Sequence, residues 1–184
     1  ILYPLGEQPI VIDANGQALS KITLKLGDET SSILAKTADN RLLLHSLSKK
    51  ESLFDDEASW DASDAVLELP AAAIEFMLID KELRHAYLAT ASGELTVFDI
   101  VDKTQPSVKY KLNVSSQGTQ ITSMEFLNGD LSLLLGDSRG EMAQWSQVRD
   151  PQNHMSVKKL RSFKVSETAV LAINPEQRRK GMLA

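Results

Sequence analysis

Cysteine is absent from the 184-residue sequence. The chain therefore forms no disulfide, binds no metal through thiolates and uses no cysteine nucleophile. Aromatic residues make up only 5% of the chain, and its two tryptophans are too few and too far apart for an aromatic carbohydrate-binding platform. No apolar run approaches the ~18 residues that a membrane-spanning helix needs. The first residues, Ile1 to Pro4, lack the basic start and apolar stretch of a signal peptide.

What the sequence does contain is typical of a globular chain, with 42% apolar and 24% charged residues. Its length suffices for a single domain, 1–184, with a sizeable core. The chain lacks an initiator methionine, and we expect it to be part of a longer protein. The net charge of −5 argues against a nucleic-acid partner. The acidic stretch 51–68, which has no lysine or arginine, is predicted to be a solvated loop.

A hairpin pattern occurs three times, each time as an apolar strand, a turn of small or polar residues and a second strand. The copies span Ile33 to Leu47, Ala86 to Ile100 and Leu131 to Val148. Their turns use Gly, Asn, Asp and Ser, which tolerate positive φ or bond their own backbone. The segments before the hairpins recur as well, with steps of 50, 50 and 47 residues along Leu24, Ile74, Met124 and Leu171.

A period near fifty residues with several short strands in each unit is typical of β-propeller blades. The sequence therefore predicts an all-β, antiparallel, propeller-like fold with about three complete blades plus a partial one, as a fragment of a larger propeller. The approximate blades are 21–50, 71–103, 121–149 and, in part, 169–184. Because three blades leave the ring open, we expect either further blades in the parent protein or self-association through the open blade edges.

The strand after each turn carries a residue pair that begins five residues after the last turn residue. The pairs are His45-Ser46 after Asn40, Phe98-Asp99 after Gly93 and Trp145-Ser146 after Gly140. This spacing resembles the Trp-Asp signature of WD40 repeats, although the family's Gly-His pair is missing. The resemblance covers about residues 21–184 and implies a protein-interaction scaffold without catalytic residues or cofactors.

A second resemblance is narrower. The stretch Asn174 to Gly181 is similar to a segment of the extracytoplasmic domain found in some bacterial ABC-type phosphate transporter permease subunits. It implies a periplasmic accessory domain whose parent lies in the inner membrane and whose partners are other parts of the transporter. The phosphate path would then lie in transmembrane segments outside these residues. The alternative is a free-standing cytoplasmic WD40-like scaffold that binds other proteins across the ring face.

Candidates for chemistry are few, and we predict no catalytic, cofactor-binding or metal-binding residue. Three histidines, His45, His85 and His154, lie in separate units and are assigned packing or surface roles. The acids Asp55, Asp56, Glu57, Asp61 and Asp64 lack EF-hand spacing. The segment Gly136 to Gly140 is interpreted as a turn, with an anion-binding nest as the alternative. An enzyme with catalytic residues in its loops is a third hypothesis for the whole chain.

The densest basic cluster consists of Arg178, Arg179 and Lys180. A charged turn at the edge of a blade would explain it. Adjacent cations also add their fields, so the same cluster is the predicted interaction site for an anionic lipid surface or an acidic partner.

Overall fold

Three four-stranded antiparallel sheets make up most of the computed structural model, which describes residues 16–50, 59–69, 73–127, 129, 132–175 and 182–183. No α-helix occurs within these ranges. The first sheet contains β1 (Leu19–Leu26), β2 (Thr30–Thr37), β3 (Leu42–Lys50) and β4 (Ser59–Val66). The second contains β5 (Ile74–Ile79), β6 (His85–Thr90), β7 (Glu94–Asp99) and β8 (Ser107–Asn113). The third contains β9 (Ile121–Phe126), β10 (Ser132–Asp137), β11 (Glu141–Arg149) and β12 (Met155–Lys164).

Within each sheet the strands lie side by side in chain order, and each pairs with the next. The predicted blades 21–50, 71–103 and 121–149 correspond to the first three strands of the three sheets, except that β1 begins two residues earlier, at Leu19. The fourth strand of each sheet comes after the predicted blade in the sequence. A last short pair, β13 (Asn174–Pro175) with β14 (Met182–Leu183), comes after the third sheet. The division of the chain into domains remains a prediction.

The turn between the second and third strands is built alike in all three sheets. Its last residue has a positive φ in each: 62° at Asn40, 93° at Gly93 and 80° at Gly140. Asparagine and glycine enter this left-handed region more readily than other residues, which explains their choice at these positions. The predicted role of these turn residues is confirmed.

Two hydrophobic cores hold the sheets face to face. Between the first and second sheets, Leu34 and Leu44 pack with Leu88 and Phe98. Between the second and third, one core is formed mainly by Tyr87, Ala89, Leu95, Val97, Phe126, Leu133 and Leu135. β7 alternates its side chains between these two cores, with Leu95 and Val97 in one and Phe98 in the other. Neither face of the strand is purely polar, as the mixed sequence predicts for a strand between two blades.

One position, five residues after the positive-φ turn residue of each repeat, shows how the sheets are oriented. His45, Phe98 and Trp145 occupy it in the three sheets. Phe98 of the second sheet packs back onto the first sheet, and Trp145 of the third sheet packs back onto the second. We call the face that carries this residue the back face of a sheet, and the opposite one its front face. The fold is thus an open stack in which the back face of each later sheet covers the front face of the one before it.

A third core lies on the front face of the third sheet. Leu134 and Met142 are buried there beneath Val170 and Ile173. The backbone oxygen of Val170 accepts hydrogen bonds from the hydroxyls of Thr122 and Ser123, both at 2.7 Å. The chain after β12 therefore starts to cover the third sheet in the way that each earlier sheet is covered by the next. The all-β, propeller-like fold is confirmed, with sheets that do not close into a ring.

Candidate interaction surface

The predicted basic cluster of Arg178, Arg179 and Lys180 lies outside the described residues. Its role as an interaction site therefore stays a prediction. The acids Asp55, Asp56 and Glu57 lie outside them as well. Among the residues that the structure does describe, no group of three or more His, Asp or Glu side chains is placed to hold a metal ion.

Each of the three histidines has an aspartate beside it. The distance from His Nδ1 to the carboxylate is 2.5 Å for His45 and Asp64, 2.7 Å for His85 and Asp80, and 3.4 Å for His154 and Asp150. Only in the second of these pairs are both side chains largely buried. The three pairs lie in three different sheets, so the fold does not bring the histidines together.

The buried pair joins the two sides of the turn between β5 and β6. Asp80 follows β5, and His85 is the first residue of β6. One carboxylate oxygen of Asp80 accepts a hydrogen bond from the backbone NH of Arg84 at 2.8 Å, and the other lies 2.7 Å from His85 Nδ1. On the far side of the ring, Lys109 Nζ lies 2.8 Å from His85 Nε2. A neutral imidazole protonated on Nδ1 satisfies both contacts, because it donates to the carboxylate and accepts from the ammonium.

Two opposing effects set the pKa of Asp80. Burial disfavours the charged carboxylate, whereas hydrogen bonds from the His85 ring and the Arg84 backbone favour it, and the pKa lies below its ordinary value. Asp99, at the end of β7, also has a lowered pKa because it accepts from the backbone NH of Val101 and lies 3.4 Å from Lys109. Both carboxylates are therefore charged at neutral pH.

Lys103 completes this charged cluster from the loop between β7 and β8. Its ammonium donates hydrogen bonds to the backbone oxygens of Leu83 and Ile100, the latter at 2.6 Å. Burial lowers the pKa of Lys103, while the fields of Asp80 and Asp99 act in the opposite direction. We refer to Asp80, His85, Asp99, Lys103 and Lys109 as the charged cluster.

A recess of about 670 Å³ opens beside the charged cluster, between the second and third sheets. Asp80, His85 and Tyr87 form one wall, and Gln147 and Met155 belong to the other. The two walls are joined by a 2.9 Å hydrogen bond from Gln147 Nε2 to the Tyr87 hydroxyl. The Tyr87 ring is held in turn by an edge-to-face contact with Phe126, with 5.0 Å between the centroids. The two walls of the recess are therefore linked through Tyr87.

A second recess, of about 740 Å³, lies at the opposite end of the sheets. It is formed by the segment between β8 and β9 together with two hairpin turns, and its lining is mainly hydroxyl and amide groups from Ser92, Asn113, Ser115, Ser116, Gln117, Thr119, Gln120 and Ser138. It contains neither an aromatic nor a charged side chain. The two ends of the stack thus differ in chemistry.

The turn from Gly136 to Gly140 has no amide free for an anion. Asp137 Oδ1 accepts hydrogen bonds from the backbone NH groups of Arg139 and Glu141, both at 2.9 Å. The NH of Ser138 donates to the Gln120 oxygen, and the NH of Gly140 to the Asp137 oxygen. The segment is therefore a turn closed by its own aspartate, and the nest alternative is wrong.

Sequence reasoning missed the pairing of Asp80 with His85. The signal was available, because the apolar segments 74–79 and 86–89 predict two strands around a short turn. An aspartate at the start of such a turn and a histidine at its end lie across from each other in a hairpin. The spacing between histidines gives no sign of this pair, because its second member is a carboxylate.

Within the described residues, no helix is both long and apolar enough to cross a membrane. No protein-family model matches the sequence. No curated protein matches it either.

The fold, in contrast, is similar to that of a solved β-propeller. The β-propeller domain of Cps50 (Swd1) from Myceliophteria thermophila superposes with a TM-score of 0.59 at 12% sequence identity. The match covers 90% of this chain and 49% of that one. The chain thus spans about half the length of the propeller that it resembles, and its fold is propeller-like.

Proposed function

We propose that the chain is a non-catalytic protein-interaction domain and that the recess beside the charged cluster receives a segment of the partner. The observation that carries the proposal is the preformed shape of this recess, whose two walls are joined by the hydrogen bond from Gln147 to Tyr87, while the Tyr87 ring contacts Phe126. A recess that is formed before binding favours association, because little side-chain entropy is then lost.

The recess combines the two kinds of contact that a peptide segment needs. Met155, which is 38% exposed, supplies apolar surface, while Lys81 and Glu82 add one charge of each sign. The recess at the other end has only neutral polar groups, which compete poorly with water. This difference favours the end with the charged cluster as the binding face.

Site-specific photo-crosslinking in the native cell tests the proposal. A photoreactive residue replaces Lys81, which lines the recess, and the matched control replaces Lys111 on β8, whose side chain is 58% exposed. We expect one discrete adduct from position 81 and none from position 111. Equal adducts from both positions, or no adduct from position 81, would contradict the proposal.

For the parent protein we propose an ABC-type phosphate transporter permease subunit in the bacterial inner membrane, with this segment on the periplasmic side. Its partners would then be other parts of the same transporter. The support is the resemblance of residues 174–181 to such proteins together with the propeller-like fold. The alternative is a free-standing cytoplasmic WD40-like scaffold, which the same fold suits equally well.

The reading frame around these residues separates the two alternatives. Two results would support the transporter. The parent protein would have hydrophobic helices on both sides of the segment, and a reporter enzyme that works only after export would be active when fused within it. A frame without such helices and an inactive reporter would leave the cytoplasmic scaffold.

A further inference from the structure

The outer strand of the third sheet is a long open edge. β5 contacts both β1 and β9, so β4, β8 and β12 are the strands at the outer side of the stack. Among the described residues, β12 pairs only with β11, and with ten residues it is the longest strand of the three. An edge strand presents a row of unpaired backbone NH groups and oxygens. The outer side of β12 is therefore able to accept a further strand.

On the other two outer strands, charged side chains have partners of opposite charge. The ammonium of Lys109 on β8 lies 3.4 Å from Asp99. That of Lys111, on the same strand, lies 2.7 Å from Glu94. The two acids of β4 contact a histidine and a lysine of β3 in a similar way. Charge on these two edges is therefore largely balanced within the sheet.

The edge at β12 is different, because its charges have one sign. The strand has no acid and carries Lys158, Lys159, Arg161 and Lys164. Lys158 and Lys159 lie opposite Ser146 and Trp145 of β11, so no carboxylate faces them across the ladder. The one acid of β11 lies opposite the far end of β12, at Lys164. At its two adjacent lysines the edge therefore keeps an uncompensated positive charge.

The two lysines point to opposite sides of the sheet. Lys159 lies opposite Trp145 and shares the back face with it, whereas Lys158 lies opposite Ser146 on the front face. A flat lipid surface would be met best by cations that point in one direction. An added strand with acidic side chains on both faces meets both lysines, because directly opposite residues of paired strands lie on the same face. The geometry thus favours a strand over a membrane.

Lysine on an edge strand also restricts which strand can pair with it. It hinders pairing with apolar or basic strands, which would bury or repel its charge. An acidic strand is the exception, since opposite charges that face each other across two strands are stabilising. Leu160, which is 51% exposed between the basic residues, adds apolar surface for a side chain of the incoming strand.

From these observations we infer that an acidic, extended segment of a partner protein adds to β12 as a fifth strand of the third sheet. Backbone hydrogen bonds supply the affinity, and Lys158 and Lys159 select acidic side chains. Met155, the first residue of β12, also lines the recess beside the charged cluster, so a segment held there can continue along the strand. This continuity rests on the proposed function, whereas strand addition at β12 does not.

Binding of a fluorescent acidic peptide to the full-length parent protein tests the inference. The probe has about eight residues, half of them glutamate and the rest valine or threonine, with both ends blocked. We expect saturable binding by fluorescence anisotropy, and Lys158→Glu/Lys159→Glu should raise Kd at least ~tenfold. The matched control, Lys49→Glu/Lys50→Glu, reverses two adjacent exposed lysines at the end of β3. At physiological salt it should leave Kd within about twofold of the wild-type value.

Two further measurements separate strand addition from simple attraction between charges. A probe of the same charge with proline at its centre lacks backbone donors there and should bind at least ~tenfold more weakly. On the wild-type protein, the acidic probe should raise the hydrogen-exchange protection of β12 and leave that of β8 unchanged. This second measurement needs no variant and holds even if a charge reversal affects folding.

Absence of saturable binding, equal binding of the proline probe, or equal effects of the two double variants would overturn the inference. So would binding through the same lysines to phosphatidylcholine vesicles with about one third phosphatidylglycerol, if the peptide itself does not bind. A crosslinked adduct at position 81 without probe binding would remove the added strand and leave the recess. Probe binding without such an adduct would leave the added strand and remove the recess.

Discussion

His85 Nδ1 lies 2.7 Å from Asp80 Oδ2, and this contact joins the end of β5 to the start of β6. The turn between them contains Leu83 at a φ of 56°, a conformation that leucine seldom adopts. The second oxygen of Asp80 holds the backbone NH of Arg84, so one carboxylate closes the turn from both sides. The turn conformation therefore depends on a side chain and not on glycine.

Asp80→Ala should destabilise the protein because the Arg84 amide and the His85 ring lose a charged acceptor. We expect a loss of about 1–3 kcal/mol in the free energy of unfolding, measured by urea denaturation at pH 7. The control is Glu82→Ala in the same turn, whose side chain is 71% exposed. Exposed ion pairs contribute little, so this control should change stability by less than about 0.5 kcal/mol.

The stability contributed by Asp80 should depend on pH. Its folded pKa lies below the ordinary value of 3.8, so its contribution is fully present above the unfolded pKa and is lost as pH falls through the folded one. The stability difference between wild type and Asp80→Asn should therefore be constant from about pH 5 upward and shrink below about pH 4. Urea titrations from neutral pH down to the acid limit of folding measure it, and a difference independent of pH would contradict the assignment.

Gly140→Ala should be strongly destabilising for two separable reasons. Glycine there has a φ of 80°, and an added Cβ would lie 2.0 Å from the Ser166 backbone oxygen and 2.5 Å from that of Thr168. Gly129 has a φ of 88° with nothing within 4 Å, so Gly129→Ala isolates the conformational cost. We expect about 1 kcal/mol for the control and at least about 3 kcal/mol for Gly140→Ala in thermal or urea unfolding. Equal losses would show that the contact with Ser166 relaxes freely.

A buried hydroxyl pair should show strong coupling. Ser32 Oγ and Ser46 Oγ lie 2.8 Å apart, and both residues are almost completely buried. Removing one hydroxyl leaves the other without this partner, so Ser46→Ala should cost about 1–2 kcal/mol. A double-mutant cycle measured by urea denaturation tests the coupling. The loss of stability in Ser32→Ala/Ser46→Ala should be smaller than the sum of the two single losses by at least about 1 kcal/mol.

Local sequence signals predict much of the fold. The turn residues Asn40, Gly93 and Gly140 are recognisable because positive φ restricts the choice of residue at each site. The alternation along β7 places Phe98 on one core and Val97 on the other, and burial on both sides can be deduced from the sequence alone. These features depend on neighbours in the chain, which is why the repeat could be recognised without coordinates.

The candidate surface was harder to predict because it depends on contacts between segments distant in sequence. Gln147 reaches the Tyr87 hydroxyl across sixty residues, and Lys109 reaches His85 across twenty-four. Neither contact follows from spacing, since each depends on how two strands or two sheets are placed side by side. The basic cluster at residues 178–180 is the one site deduced from sequence, and it lies beyond the described residues.

The chain order of the strands has a consequence for how the protein assembles. Each sheet is completed by a continuous stretch of chain, and each core is shared only between neighbours. Stability in such an arrangement is close to a sum of unit and nearest-neighbour terms. The second sheet has a four-stranded neighbour on both sides, so ordering should start there and spread outward. Equilibrium melting should then proceed in stages from the ends of the stack, with a separate transition for each outer sheet. Deleting one outer sheet should remove one of these transitions.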